Sequence, residues 1–157
     1  MARDHARIQL SIWDDGDFLA LNSSEQQVYF AILSSKGLSR CGVVDYIPTR
    51  FEHISADMTA IRFRKSVKKL IETRFFVLDS KTQELLVRSY VRADGVFDRV
   101  NMGKAVGTAY EAVVSRSIRA AIGAEMARFM RERPDLPGWV GLAATSPEAH
   151  AIACGME

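Results

Sequence analysis

"AIRFRKSVKKLIETRFFVLDSKTQELLVRSYVR", residues 60 to 92, decides the fold, because its apolar rhythm changes from helix to strand part-way along. In the first half Phe63, Val67, Leu70 and Ile71 recur at the 3.6-residue period of an amphipathic helix, with Asp57 or Thr59 at its start. Six of its first fifteen residues are Lys or Arg, and Arg62, Arg64, Lys65, Lys68 and Lys69 fall off the apolar stripe. From Phe75 the period shortens to two. "FFVLD", a turn at "SKTQ" and "ELLVRSYVR" then read as a hairpin with a loop of about four or five residues. On its second strand Leu85, Val87 and Val91 are expected on one face, with Arg88, Tyr90 and Arg92 on the other.

Working outward, residues 7 to 15, "RIQLSIWDD", alternate Ile8, Leu10 and Ile12 with polar neighbours, which predicts an extended segment anchored by Trp13. Asn22, Ser23 or Ser24 caps a helix through "EQQVYFAIL", and Gly37 is the expected stop. "RCGVVDYI" is short and β-branched, hence a strand, and Pro48 opens a helical turn through "TRFEHISA". Extended segment, helix, strand, helix, basic helix and hairpin, in that order, is the plan of a winged helix-turn-helix, an α+β fold. Residues 1–100 are assigned to it.

Residues 101–157 are expected to form a helical extension and tail. Val106, Tyr110, Val114, Ile118, Ile122, Met126 and Met130 are spaced near four apart, which predicts one helix of up to about 30 residues, roughly 45 Å long. Gly107 and Gly123 would weaken it, and Pro134 and Pro137 end it. The tail offers one short helix, with Ser146 before Pro147.

Bulk composition narrows the classes. With 157 residues, 48% hydrophobic and 25% charged, the chain can bury a core, and a net charge of +2 does not by itself announce a nucleic-acid binder. No apolar run approaches the ~18 residues of a membrane span, and the polar start "MARDHAR" lacks a signal-peptide core, so a cytoplasmic protein with no membrane partner is expected. Cys41 and Cys154 lie far apart, read as free thiols, and suggest neither zinc nor a disulfide framework.

A recognition helix in the major groove needs long donors on its outward face, and Arg62, Arg64, Lys65, Lys68 and Lys69 supply them. Arginine pairs bidentately with guanine, whereas lysine neutralises phosphate. Arg62 and Arg64, near the helix start, are therefore expected to reach bases or phosphates first. Lys81 at the wing tip, with Arg88 and Arg92 on its strand, would meet adjacent phosphates or a minor groove. Such cations also serve merely to solvate a helix.

The succession "SIWDDGDFLALNSSEQQVYFAIL", "GVVDYIP", "LIETRFFVLD" and "ELLVRSYVRADGV" resembles the amino-terminal winged-helix region of bacteriophage replication-initiation proteins, especially those of phages of actinobacteria, over roughly residues 7 to 125. The resemblance implies recognition of origin or regulatory double-stranded DNA in a bacterial host cell, with Arg62, Arg64, Lys65 and Lys68 as contacts. Such initiators continue into a domain that engages helicase machinery. Here the sequence stops soon after the long helix, so a short DNA-binding regulator is as much expected as an initiator.

No enzyme and no cofactor is expected. Asp14, Asp15 and Asp17 in "WDDGD" lack a second acidic cluster and read as a turn, and "GKAVGTAY" lacks phosphate-loop spacing. His5, His53 and His150 are scattered, with His53 expected half-buried on a helix and neither cysteine in a catalytic frame. The long helix is the stronger candidate for a partner. Tyr110, Val114, Ile118 and Met126, with Trp139 pinning the tail, would either pack on the winged-helix core or form a homodimer holding two basic helices about one DNA turn apart. The rival to DNA binding is a module that docks on a host or replisome protein.

Overall fold

The structure, a computed structural model, describes residues 3 to 156. Met1 and Ala2 of the polar start, and Glu157 at the end of the tail, lie outside the described residues. Asp15 accepts from the amides of Asp17 and Phe18 and so starts the single turn α1 (Gly16–Leu19), which is the turn expected of "WDDGD". Asn22 and Glu25 form a reciprocal capping box that opens α2 (Ser23–Leu33), whose Val28, Tyr29, Ile32 and Leu33 turn inward. That helix stops at Ser34, where hydroxyl and amide both return to the Phe30 carbonyl, and not at Gly37. The left-handed glycine comes later. Gly42, at φ +87°, brings its backbone so close to Tyr90 that a Cβ would lie 2.6 Å from the tyrosine's own.

Strand β1 (Val43–Asp45) follows, then a 3-10 turn (Pro48–Phe51) with proline at its first positions. The Thr59 hydroxyl accepts from the Arg62 amide and starts α3 (Ala60–Glu72). Phe63, Val67 and Leu70 are buried as the period predicts, Ile71 is half-buried and Ser66 is buried beside them, and Phe63 stacks on Phe51 at 4.7 Å between ring centres. A four-residue loop joins β2 (Phe76–Asp79) to β3 (Glu84–Val87), and the antiparallel sheet runs β1-β3-β2. Helices pack on this small sheet in an α+β layout compatible with a winged helix.

Several expectations are corrected. Strand β3 ends at Val87, and Tyr90 and Val91 open a short helix, α4 (Tyr90–Ala93). Leu85, Leu86, Val87, Tyr90 and Val91 are all buried, because the central strand is covered on both sides and alternation has no solvent face to report. Residues 7 to 15 are not extended throughout, since Leu10–Asp14 form a 3-10 turn. Ile8, Leu10 and Trp13 are exposed, while Ile12 packs on the core.

The predicted 30-residue helix is two: α5 (Val100–Ala112) and α6 (Arg116–Glu132). The break falls at residues 113–115, not at a glycine. Glu84 accepts the Val114 and Ser115 amides at 2.9 and 2.7 Å, and the Ser115 hydroxyl donates to Asp79 at 2.6 Å while accepting from the Ile118 amide. Gly107 and Gly123 are instead points of close approach to Thr145 and Ile152. The tail, finally, forms two helices, α7 (Gly138–Thr145) and α8 (Pro147–Ala153), the second capped by Ser146 as expected. One hydrophobic core runs from Phe18 to Ala153 across the expected boundary at residue 100. Among the described residues no helix is long and apolar enough to cross a membrane.

The Ser115 hydroxyl, then the Lys81 amide, hold the Asp79 carboxyl below its usual range. Its folded-state pKa lies under the unfolded value of about 4. The stabilisation is therefore complete above that value and is lost as pH falls through the folded one. Ser115→Ala should cost about 1 kcal/mol at neutral pH through the lost cap, and should reduce the acid sensitivity of stability, both read from urea melts across pH. Gly103→Ala should be more damaging. Its Cβ would lie 1.8 Å from the Gly138 carbonyl oxygen, where only backbone can yield, and a loss of about 3 kcal/mol or more in the same assay is expected.

Candidate nucleic-acid interface

Helix α3 offers its apolar side to the core and its cationic side to water. Arg64, Lys65, Lys68 and Lys69 are all exposed, and none has a salt-bridge partner among the described residues. Four neighbouring cations without counter-charges repel one another, and an external polyanion relieves that repulsion.

Arg62 is different. Its guanidinium donates to the Asp57 carbonyl at 2.9 Å and carboxylate at 2.8 Å, and to the Ser24 hydroxyl at 3.3 Å. Hydrogen bonds from Ser55, then Arg62, hold the Asp57 carboxyl below its usual range. One of the two residues expected to reach DNA first thus braces the start of α3 against the preceding turn and the first turn of α2. The five-residue return to Asp57 was the available signal, because an acid just ahead of a helix competes for an arginine in its first turn.

The expected wing cations separate in the same way. Lys81 stands exposed in the β2–β3 loop, where its amide donates to Asp79. Arg88 and Arg92 are not on the wing strand at all. Both turn to Glu125, a nearly buried carboxylate on α6, at 3.3 and 3.1 Å, and Arg92 also approaches Glu132. They belong to a cleft of about 800 Å³ lined by Arg7, Arg74, Arg88, Arg92 and Arg128 together with Asp15, Asp17, Asp94, Glu125 and Glu132. Arg88 and Arg92 are thereby countered by carboxylates of the same cleft.

The expected partner stripe is consumed inside the molecule. Tyr110, Ile118, Met126 and Trp139 are at most 3% exposed, and only Val114 faces water. Trp139 stacks on Phe97 at 3.9 Å, and its indole donates to the Arg133 carbonyl. A homodimer built on that stripe would have to unpack the core. The break at Val114 makes this possible, since α6 folds back to bury a face that a continuous helix would leave outside.

Sequence reasoning left Ile61 unassigned, although it is 77% exposed on the cationic side of α3. His53 is an exposed turn residue, not a half-buried helical one, and Cys41 is buried, which pushes its thiol up to about 11. His150 and Cys154 do meet, at 3.8 Å on the surface of α8, but no other side chain among the described residues hydrogen-bonds that imidazole to orient it. Among the described residues no group of three or more His, Cys, Asp or Glu is arranged to hold a metal ion. Compared with protein-family models, curated proteins and solved structures, the chain matches none.

The division between brace and free cations is measurable. Arg62→Ala should lower unfolding stability by about 1 kcal/mol, whereas Arg64→Ala and Lys68→Ala should stay within about 0.5 kcal/mol of the parent. Equal losses in thermal and urea melts would contradict it.

Proposed function

We propose that the chain is a winged-helix protein that binds double-stranded DNA, with α3 as the recognition helix in the major groove and the β2–β3 loop as the wing. The observation that carries this reading is the exposed, unpaired row of Arg64, Lys65, Lys68 and Lys69 on a helix seated on the core by its opposite face. A helix docked in this way keeps its long donors fixed in direction, so that binding does not require the helix to be ordered first. The mechanism is occupancy of a DNA site, with no bond made or broken. The resemblance to the amino-terminal region of phage initiators supports a role in replication initiation or in transcriptional regulation in a bacterial cell.

A second reading has its own observation. Ile8, Leu10, Trp13 and Leu19 are all at least half exposed within twelve residues, an apolar surface suited to a host or replisome protein. Under that reading α3 is only solvated.

Fluorescence-anisotropy titration against a duplex library separates the two. Of the eight cations expected to contact DNA, Arg62, Arg88 and Arg92 are engaged internally and five remain, Lys81 being the fifth. With one phosphate neutralised by each of the five, the log-log salt slope should be about −4.5 per chain. Lys65→Ala/Lys68→Ala/Lys69→Ala should flatten it by about 2.7 and weaken binding at least tenfold. A salt-independent response, or a triple variant that binds like the parent, would count against DNA as the ligand. Leu10→Ser/Trp13→Ser should leave the titration unchanged.

A further inference from the structure

We infer that Ile61 reads a thymine by contact with its 5-methyl group, an inference that rests on the DNA-binding reading above. On α3 the other large apolar side chains, Phe63, Val67 and Leu70, are buried and Ile71 packs on the core, yet Ile61 is 77% exposed. Internal packing does not hold the isoleucine there, and β-branched residues are weaker helix formers than the straight-chain residues that usually fill a solvated face.

Its neighbours supply the reason. Three, four and seven residues on, Arg64, Lys65 and Lys68 occupy the same side of the helix. Ile61 is thus the apolar member of an otherwise cationic face. Helical side chains lean toward the amino terminus, so Ile61, the second residue of α3, projects over the first turn. In a recognition helix that end is the one that meets base edges.

Cations and bases then divide the work. Lysines on phosphates hold the helix in the groove but carry no sequence information. On the major-groove edge, the thymine methyl is the apolar feature among donors and acceptors. A branched aliphatic side chain flanked by phosphate-seeking cations matches it in chemistry. Arg62 serves this arrangement indirectly, since its bonds to Asp57 and Ser24 fix the turn from which Ile61 projects.

The test uses the full chain and a duplex selected from a random library, with each thymine replaced singly by uracil, which removes only the methyl. At one position, or one per half-site, the parent should lose about fourfold in affinity, equivalent to roughly 0.8 kcal/mol for one buried carbon. Ile61→Ala should bind the thymine and uracil duplexes equally well, with its fold checked by circular dichroism. Ile61→Val should fall between. Parent binding that is indifferent to every replacement, a selected site without thymine, or an Ile61→Ala variant that keeps the parent's sensitivity would each overturn the assignment while leaving DNA binding intact. If no duplex is bound at any salt, the DNA reading itself falls and this inference with it.

Discussion

The carboxylate of Glu84 organises the molecule. It sits at the start of β3, paired in register with Asp45 on one side and Asp79 on the other, so three acids lie abreast at one end of the sheet. Such a row would repel itself if left bare. Two of the three are met by the amino terminus of α6, where Glu84 takes the amides of Val114 and Ser115 and Asp79 takes the Ser115 hydroxyl, while Asp45 is exposed and has Arg50 at 3.9 Å. The same contacts break what would be one helix into two and send α6 back across the sheet, where it touches β2, β3 and α4.

That return path decides which cations remain free. Because α6 crosses α4, Glu125 arrives between Arg88 and Arg92 and occupies them both. Arg62 is held at the other end of the basic segment by Asp57. Charge counting along residues 60 to 92 treats these arginines and the lysines of α3 alike. Position relative to carboxylates brought in from elsewhere divides them into braces and cations left facing water.

The carboxy-terminal helices close the core by unusually near backbone contacts. Gly103, Gly138 and Gly141 let α5 and α7 approach until backbone meets backbone, and Gly138 also abuts Phe97. This seats Trp139 on Phe97 and buries Tyr110, Ile118 and Met126 with the rest of the core. The apolar stripe that suggests a partner in one dimension is satisfied in three. Exposed apolar surface lies instead at Leu10 and Trp13, on the segment of residues 7 to 15 whose alternation suggested burial, and at Leu19 just beyond it, although the Trp13 ring meets the edge of Phe18 at 5.9 Å.

By itself the sequence determined the local elements whose causes are local: a cap among Asn22, Ser23 and Ser24, a helix start at Asp57 or Thr59, the inward stripe of α3, a hairpin loop of about four or five residues and the Ser146–Pro147 start of α8. Each depends on residues within about one turn of one another, so periodicity and capping chemistry suffice. The basic face of the candidate site was legible for the same reason. The break at Val113–Ser115 left only a faint trace, a β-branched pair before a serine, because its cause lies some thirty residues away at Glu84. Tertiary structure alone decided the burial of Tyr110 and Trp139, the bracing role of Arg62, and the withdrawal of Arg88 and Arg92 from the wing. In each case the deciding group comes from another segment, and one-dimensional spacing carries no record of which distant carboxylate or ring will arrive beside a given side chain.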